Sequence, residues 1–506
     1  MRCLFAASEV TGFAKTGGLA DVAGSLPRAL ARRGVDMAVI LPLYGSVRRG
    51  PAPLEPTEHV FTIPFGDQPV TGRLWRSTLP QSTIPVYLVE QKEFFERDDP
   101  ALGRGLYQFT KTDGTRADYL DNSRRFAFFS RAVLEAVRLL DFWPDVLHIN
   151  DWQTGLVPVY LREIYRQTKP HDLRQRYERM RTLCTIHNLG YQGLFTHLDM
   201  PVLSLPWKLF NYEQLEFYGH INFLKAGIVF ADLINTVSPM YAREIQTLYF
   251  GCGLQGVLLQ RARQLCGIVN GVDYHRWDPA HDAHLAAHYD ADSVAPGKPV
   301  CKAHLQKACG LAVEPNTPLL GMISRLVDQK GLDLLLEAAP ALLRQGPQLV
   351  VLGEGDPAYH VALLKLQEKY PGQVAVKLVQ DEKLAHQIEA GADIFLMPSQ
   401  YEPCGLNQLY SLKYGTLPVV RATGGLADTV FDASNKNLEA GKATGFVFVP
   451  YAAAEFLEAV SRALDCYRRQ PRTWVALQQT GMRQDWSWNR SAAEYEGLYR
   501  RLVNTR

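Results

Sequence analysis

A lysine followed by two glycines and a helix-length run, KTGGLADV at 15–22, can turn an ammonium and backbone N–H groups toward a phosphate at the positive end of a helix. Its spacing is not GxxxxGK[ST], so it is no P-loop. The same residues also suit a tight strand-to-helix turn with Lys15 solvated. SRLVDQKG at 324–331 offers two cations, Arg325 and Lys330, that can grip a diphosphate or simply open a helix. YEPCGL at 401–406 sets Glu402 and Cys404 before a glycine. A carboxylate there can orient a sugar hydroxyl or stabilise an oxocarbenium-like charge, or merely face water. Cys404 has no His, Asn or Asp in a nucleophile arrangement with it, which speaks against thiolate chemistry. HINDWQTG at 148–155 and TIHNLGYQG at 185–193 add Asp151, His187 and Asn188, each just past an apolar run. LGEGD at 352–356 lacks the third glycine of GxGxxG, so a hydride-transfer cofactor is not supported. No HExxH, H-x-E or DxD pattern argues for a metal.

These groups need strands to carry them. Short apolar runs at 2–7, 35–42, 86–90, 145–150, 182–186 and 233–237 alternate with helical patterns at 20–33, 123–140 and about 155–166. That order is βαβ grammar, a parallel sheet whose ligands sit beyond the carboxyl ends of the strands. It restarts at 267–272 and continues through 318–323, 348–352, 374–378, 393–398 and 417–420, with helix-length segments such as 331–343 between. Two doubly wound α/β domains are expected, at 1–262 and 263–485, with an aromatic amphipathic helix at 486–506 packed on a domain surface. TGGLADV at 16–22 returns as TGGLADTV at 423–430, placing a similar glycine loop in each half.

A chain of 506 residues suggests two to four domains, and 47% hydrophobic with 21% charged residues excludes disorder. With 54 basic against 52 acidic side chains the net charge is +2, too balanced for a nucleic-acid binder. Eight cysteines without a CxxC pair read as free thiols of a reducing compartment. Early charges at Glu9 and Lys15 and the lack of a long apolar run lead us to expect a cytoplasmic protein with no presequence and no membrane span.

Taken in order, KTGGLADV, HINDWQTG, TIHNLGYQG, SRLVDQKG, the long stretch at 401–430 and DWSW at 485–488 resemble the bacterial glycogen synthase and plant starch synthase family, from about residue 2 to the end. The resemblance implies a GT-B architecture, two Rossmann-like domains facing across a cleft, with the last helix returning to the N-terminal domain. It implies transfer of glucose from a nucleoside diphosphate glucose, usually ADP-glucose, to the non-reducing 4-hydroxyl of an α-1,4-glucan, with retention and without metal or cofactor.

By matching positions, the resemblance assigns Lys15, Gly18 and Asp21 to the donor's phosphate side, and Arg325 and Lys330 to the diphosphate. It sets Glu402 beside the donor glucose, Cys404, Gly405 and Leu406 along the sugar pocket, and His187 on the transferred glucose. Asp151 and Asn188 fall on the acceptor or sugar side. Tyr107, in the stretch 107–126, is either a sugar-stacking residue or a core aromatic. A single nearby carboxylate disfavours a two-carboxylate double displacement, so same-face attack is preferred. Three positions depart from the family pattern: Gln153 where His is common, Val379-Gln380 where Gly-Tyr is frequent, and Asn407 where Thr is frequent. The second removes an aromatic platform for a base and opens the alternative of a UDP-glucose donor. A catalytically weak glucan-binding or regulatory homologue is the alternative of another class.

Overall fold

The computed structural model describes residues 1–66, 68–97, 99, 105–112 and 114–504, so Asp113 of the stretch after Tyr107 and residues 505–506 of the expected last helix lie outside it. The chain divides into two compact units. One comprises Met1–Val237, Ala242–Gly271 and the chain end from Trp488, and the other Ser238–Tyr241 and Val272–Ser487.

Strands covered by helices on both faces read as unbroken apolar runs, which is why they are visible in the sequence. In the first unit these are β1 (Arg2–Ala6), β2 (Asp36–Pro42), β3 (Glu55–Phe65), β4 (Gln68–Thr78), β5 (Pro85–Glu90), β6 (Val146–Asn150), β7 (Arg181–Ile186), β8 (Leu233–Thr236) and β9 (Leu265–Gly267). They form one sheet in the order β9-β8-β7-β6-β1-β2-β5-β4-β3. Pairing is parallel from β9 to β5 and antiparallel from β5 to β3. The strand order reverses between β1 and β6, and that is where such a sheet opens a crevice for ligands.

In the second unit β10 (Leu319–Ile323), β11 (Gln348–Leu352), β12 (Val374–Lys377), β13 (Ile394–Met397), β14 (Leu417–Arg421) and β15 (Phe446–Phe448) pair throughout in parallel, in the order β12-β11-β10-β13-β14-β15. Alternate residues enter two separate cores. Leu320, Met322, Leu349 and Val351 face one, and Leu319, Val350, Leu352 and Phe395 the other. Here the reversal falls between β10 and β13.

Two expectations change. The run at 267–272 does not begin the second sheet: β9 ends at Gly267 and pairs with β8, so a division at residue 262 would cut the first sheet, and the long stretch of the second unit starts at Val272. The antiparallel hairpin β3–β4 has no counterpart in the sequence reading. The closing aromatic helix, Trp488–Asn504, belongs to the first unit. Its Tyr499 and Tyr495 enter a buried chain: Tyr499 Oη lies 2.6 Å from His148 Nδ1, His148 Nε2 lies 2.6 Å from Thr185 Oγ1, Thr185 donates to Asn235 Oδ1, and Asn235 Nδ2 donates to Tyr495 Oη at 3.0 Å. Among the described residues no helix is long and apolar enough to cross a membrane.

Candidate active site

In the first unit the predicted residues collect at the carboxyl ends of β1, β6 and β7. The loop after β1 is organised by Glu9, which is buried. Its carboxylate accepts from the N–H of Thr16 and, at 3.2 Å, of Gly17, from Thr16 Oγ1 at 2.6 Å, and from the Tyr107 hydroxyl at 2.8 Å. Lys15 extends from this loop, half exposed, with Nζ 2.6 Å from Asp21 Oδ1 in the first turn of helix Gly18–Arg32. Tyr107 is thus a hydrogen-bonding partner of the loop, and its ring packs near Phe126 and Trp152.

After β6 the chain turns at Asp151, whose backbone has φ 54° and ψ −169°, a conformation costing about 1–3 kcal/mol in a residue with a side chain. It is held there by its own N–H, which donates to Thr185 O at 2.9 Å, and by its carboxylate, which accepts from His187 N–H at 2.7 Å. Burial pushes the Asp151 carboxyl up to about 7, against the two backbone N–H groups of His187 and Asn188. Asn150 Nδ2 donates to Ala6 O at 3.0 Å, which turns Oδ1 toward His187 Nε2 at 2.9 Å. The proton therefore sits on Nε2, and Nδ1 is the acceptor nitrogen. Burial lowers the His187 imidazole to about 3, so it is neutral at physiological pH. Asn188 Oδ1 accepts from Gly190 N–H and closes its own loop.

In the second unit the reversal point holds a cavity of about 190 Å³, lined by Ser324, Arg325, Lys330, Ser399, Glu402, Gly405, Leu406 and Asn407 over the ends of β10 and β13. Lys330 Nζ lies 2.6 Å from Glu402 Oε2, and Ser399 Oγ donates to the same oxygen at 3.1 Å. Glu402 is buried, Lys330 nearly so, and Arg325 is exposed. The two loops are tied together: Gln400 N–H donates to Gln329 O at 2.9 Å and Gln329 Nε2 to Tyr401 O at 3.1 Å. LGEGD braces them from behind, with Ser324 N–H on Leu352 O and Leu326 N–H on Glu354 O. Cys404 is buried and is not among the residues that line the cavity. Asn407 Nδ2 donates to Ile323 O at 2.7 Å, pinning the start of helix Asn407–Lys413 to the end of β10. Val379 and Gln380 lie exposed beyond β12.

The repeated glycine motif serves two purposes. A Cβ at Gly17 or Gly18 would meet nothing within 4 Å, and Gly17 is in extended backbone that any residue adopts. Gly424 has φ 44°, and a Cβ there would lie 1.9 Å from Glu402 O; at Gly425 it would lie 2.0 Å from Cys404 O. The second loop is glycine because the Glu402 backbone presses on it. The first is glycine where the protein itself makes no such demand. Reading the sequence missed Glu9, Asn150, Ser324 and Ser399. Asn150 and Ser324 carried a visible signal, through their places in HINDW and SRLVDQKG.

Residues 2–260 match the starch synthase catalytic domain family and residues 310–475 the glycosyl transferases group 1 family. Glycogen synthases of Anaeromyxobacter dehalogenans strain 2CP-C and Thioalkalivibrio sulfidiphilus are each 48% identical, over 99% and 100% of this chain and all of theirs. The catalytic domain of starch synthase IV from Arabidopsis thaliana, solved with ADP and acarbose, superposes with TM-score 0.87 at 32% identity over 99% of both chains. Sucrose-phosphate synthase from Thermosynechococcus elongatus shares the fold alone, with TM-score 0.58 at 16% identity over the whole of both chains. Two Rossmann-like units, each with polar groups gathered at its strand-order reversal, define with these matches a GT-B glycosyltransferase. The chain belongs to the bacterial glycogen synthase and plant starch synthase family, and it is a glucan synthase.

Proposed function

We propose that the enzyme moves glucose from ADP-glucose to the non-reducing 4-hydroxyl of an α-1,4-glucan, with retention and without metal, in the cytoplasm. The arrangement that carries this reading is Lys330, Glu402 and Ser399 in one small cavity at the reversal point of the second sheet. Arg325 and Lys330 hold the donor diphosphate and stabilise its departure, with Lys15, Gly18 and Asp21 serving the donor's phosphates as the family resemblance implies. The C1–O bond to ADP breaks as the acceptor 4-oxygen bonds to C1 on the same face, and the acceptor proton passes to the leaving phosphate oxygen. Glu402 has one oxygen engaged by Lys330 and Ser399, which suits a carboxylate that balances developing positive charge better than a nucleophile. Gly405 and Leu406 shape the sugar pocket, with Cys404 behind them.

His187, neutral and with Nδ1 as acceptor, receives a hydroxyl of the transferred glucose; Asp151, Asn188 and Tyr107 serve the sugar and acceptor side. Eight cysteines with no disulfide among the described residues support a reducing compartment. Exposed Val379 and Gln380, with no aromatic ring at this pair, favour one second reading, a UDP-glucose donor. The test incubates wild type and Glu402→Gln with ADP-glucose and maltotriose. We expect a ladder of longer maltooligosaccharides with new α-anomeric signals, and a kcat lower by about 10²–10³ in the variant, the scale for losing one transition-state electrostatic contact. Turnover of Glu402→Gln equal to wild type, or β-linked product, would overturn the mechanism; no ladder from wild type would favour the binding homologue.

A further inference from the structure

Among the described residues six aromatic side chains are exposed, and five of them, Tyr191, Trp207, Tyr212, Tyr218 and Tyr249, fall between 191 and 249 of the first unit. Tyr218 is 80% and Tyr212 76% exposed. Aromatic rings left in water and concentrated in one segment mark a binding surface.

The segment is rigidly built. Leu194–Thr196, Glu216–Phe217 and His220–Asn222 form a small antiparallel sheet. Below it the buried Lys225 donates through Nζ to the carbonyls of Tyr212 and Glu216, both at 2.5 Å. Asn222 Oδ1 accepts from Lys225 N–H at 2.8 Å, and Asn222 Nδ2 donates to Gln192 Oε1 at 2.6 Å. Gln192 Nε2 then donates to Cys252 O at 2.9 Å. Burying an ammonium is costly, and here it fixes the backbone that presents Tyr212 and Tyr218. A preorganised ring loses little freedom on binding.

The segment adjoins the sugar-side residues. Tyr191 follows Asn188 by three positions, its N–H donating to Asn188 O, and Phe195 packs on Trp152, the neighbour of Asp151. Phenol and indole faces suit the C–H faces of pyranose rings, and their polar edges suit the hydroxyls around them.

We propose that Tyr191, Tyr212 and Tyr218 form a platform for the acceptor, holding glucose units of an α-1,4-glucan beyond the one that reacts. This rests on the acceptor-side reading of Asp151 and Asn188. The test measures wild type, Tyr218→Ala and Tyr212→Ala/Tyr218→Ala with glycogen and with maltotriose, alongside electrophoresis in gels containing glycogen and size-exclusion chromatography. The proposal expects the glycogen KM to rise about three- to tenfold per ring relative to that for maltotriose, with kcat held, weaker retardation in the gel and an unchanged elution volume. Tyr218→Phe keeps the platform. Equal glycogen KM and retardation in wild type and the double variant overturn the proposal, and so does a change in elution volume without a change in KM, which assigns the surface to a second copy of the chain. Failure of the acceptor reading looks different: wild type itself then elongates neither acceptor.

Discussion

The two TGGLAD loops should respond oppositely to the same substitution. At Gly424 an alanine must hold φ 44°, costing about 1–2 kcal/mol, and must push back a carbonyl 1.9 Å from its Cβ, costing about 1–3 kcal/mol more. The sum, about 2–5 kcal/mol, corresponds to a Tm lower by about 5–15 °C for a domain of this size. At Gly17 the backbone is already extended and at Gly18 it is helical, with open space around both, so alanine is expected within about 0.5 kcal/mol of wild type. If the donor's phosphates approach this loop, Gly18→Ala retains wild-type Tm yet loses kcat/KM for ADP-glucose, while Gly424→Ala loses Tm and activity together through the displaced Glu402 backbone. Differential scanning calorimetry with donor-saturation kinetics reads both. A Gly424→Ala protein as stable as wild type would refute the packing argument, and a fully active Gly18→Ala would refute the phosphate role of the first loop.

Other outcomes follow from the buried groups. Asp151 keeps its proton in the folded chain up to about pH 7 but releases it near 4 when unfolded, so its contribution to stability is full below about pH 4 and is lost as pH rises through 7. The Tm of wild type should therefore fall relative to that of Asp151→Asn between pH 4 and 8, and parallel Tm curves would contradict the burial assigned to this carboxyl. Tyr499→Phe leaves His148 Nδ1 without its hydroxyl donor, for a loss of about 1–3 kcal/mol in urea unfolding with turnover per folded molecule retained; an unchanged midpoint would remove the role of this network. Gln153 Oε1 is buried without a partner, so Gln153→Met is expected to hold or raise the Tm, and a drop of several degrees would show a bond that the geometry lacks.

Where long strands are buried on both faces, the sequence showed them to within a residue or two, because an apolar run of four to seven residues has no other use in this grammar, whereas the three-residue β15, which packs on both cores, was not expected. The hairpin β3–β4 escaped because its exposed edge alternates polar and apolar residues and carries Pro56, Pro64 and Pro69, which read as breakers. Strand β9 was misassigned because a three-residue strand is defined by its partner, not by its composition. The charged and glycine-linked site residues were legible as motifs, but their supports were not. Glu9 looked like a charge that interrupts a leader, and only the fold shows it collecting the N–H groups of Thr16 and Gly17 and the Tyr107 hydroxyl. Ser399 belongs to no motif and Ser324 only opens SRLVDQKG beside its cations; both matter because two strand ends meet.

Glucosyl transfer by these residues is read out by nucleotide release from ADP-glucose and UDP-glucose in parallel, with and without glycogen, in buffer containing EDTA. ADP release is expected to depend on glycogen and to persist in EDTA, with UDP release far slower. Release of UDP alone would move the donor assignment, and release of neither nucleotide in the presence of glycogen would contradict the reaction proposed for these residues.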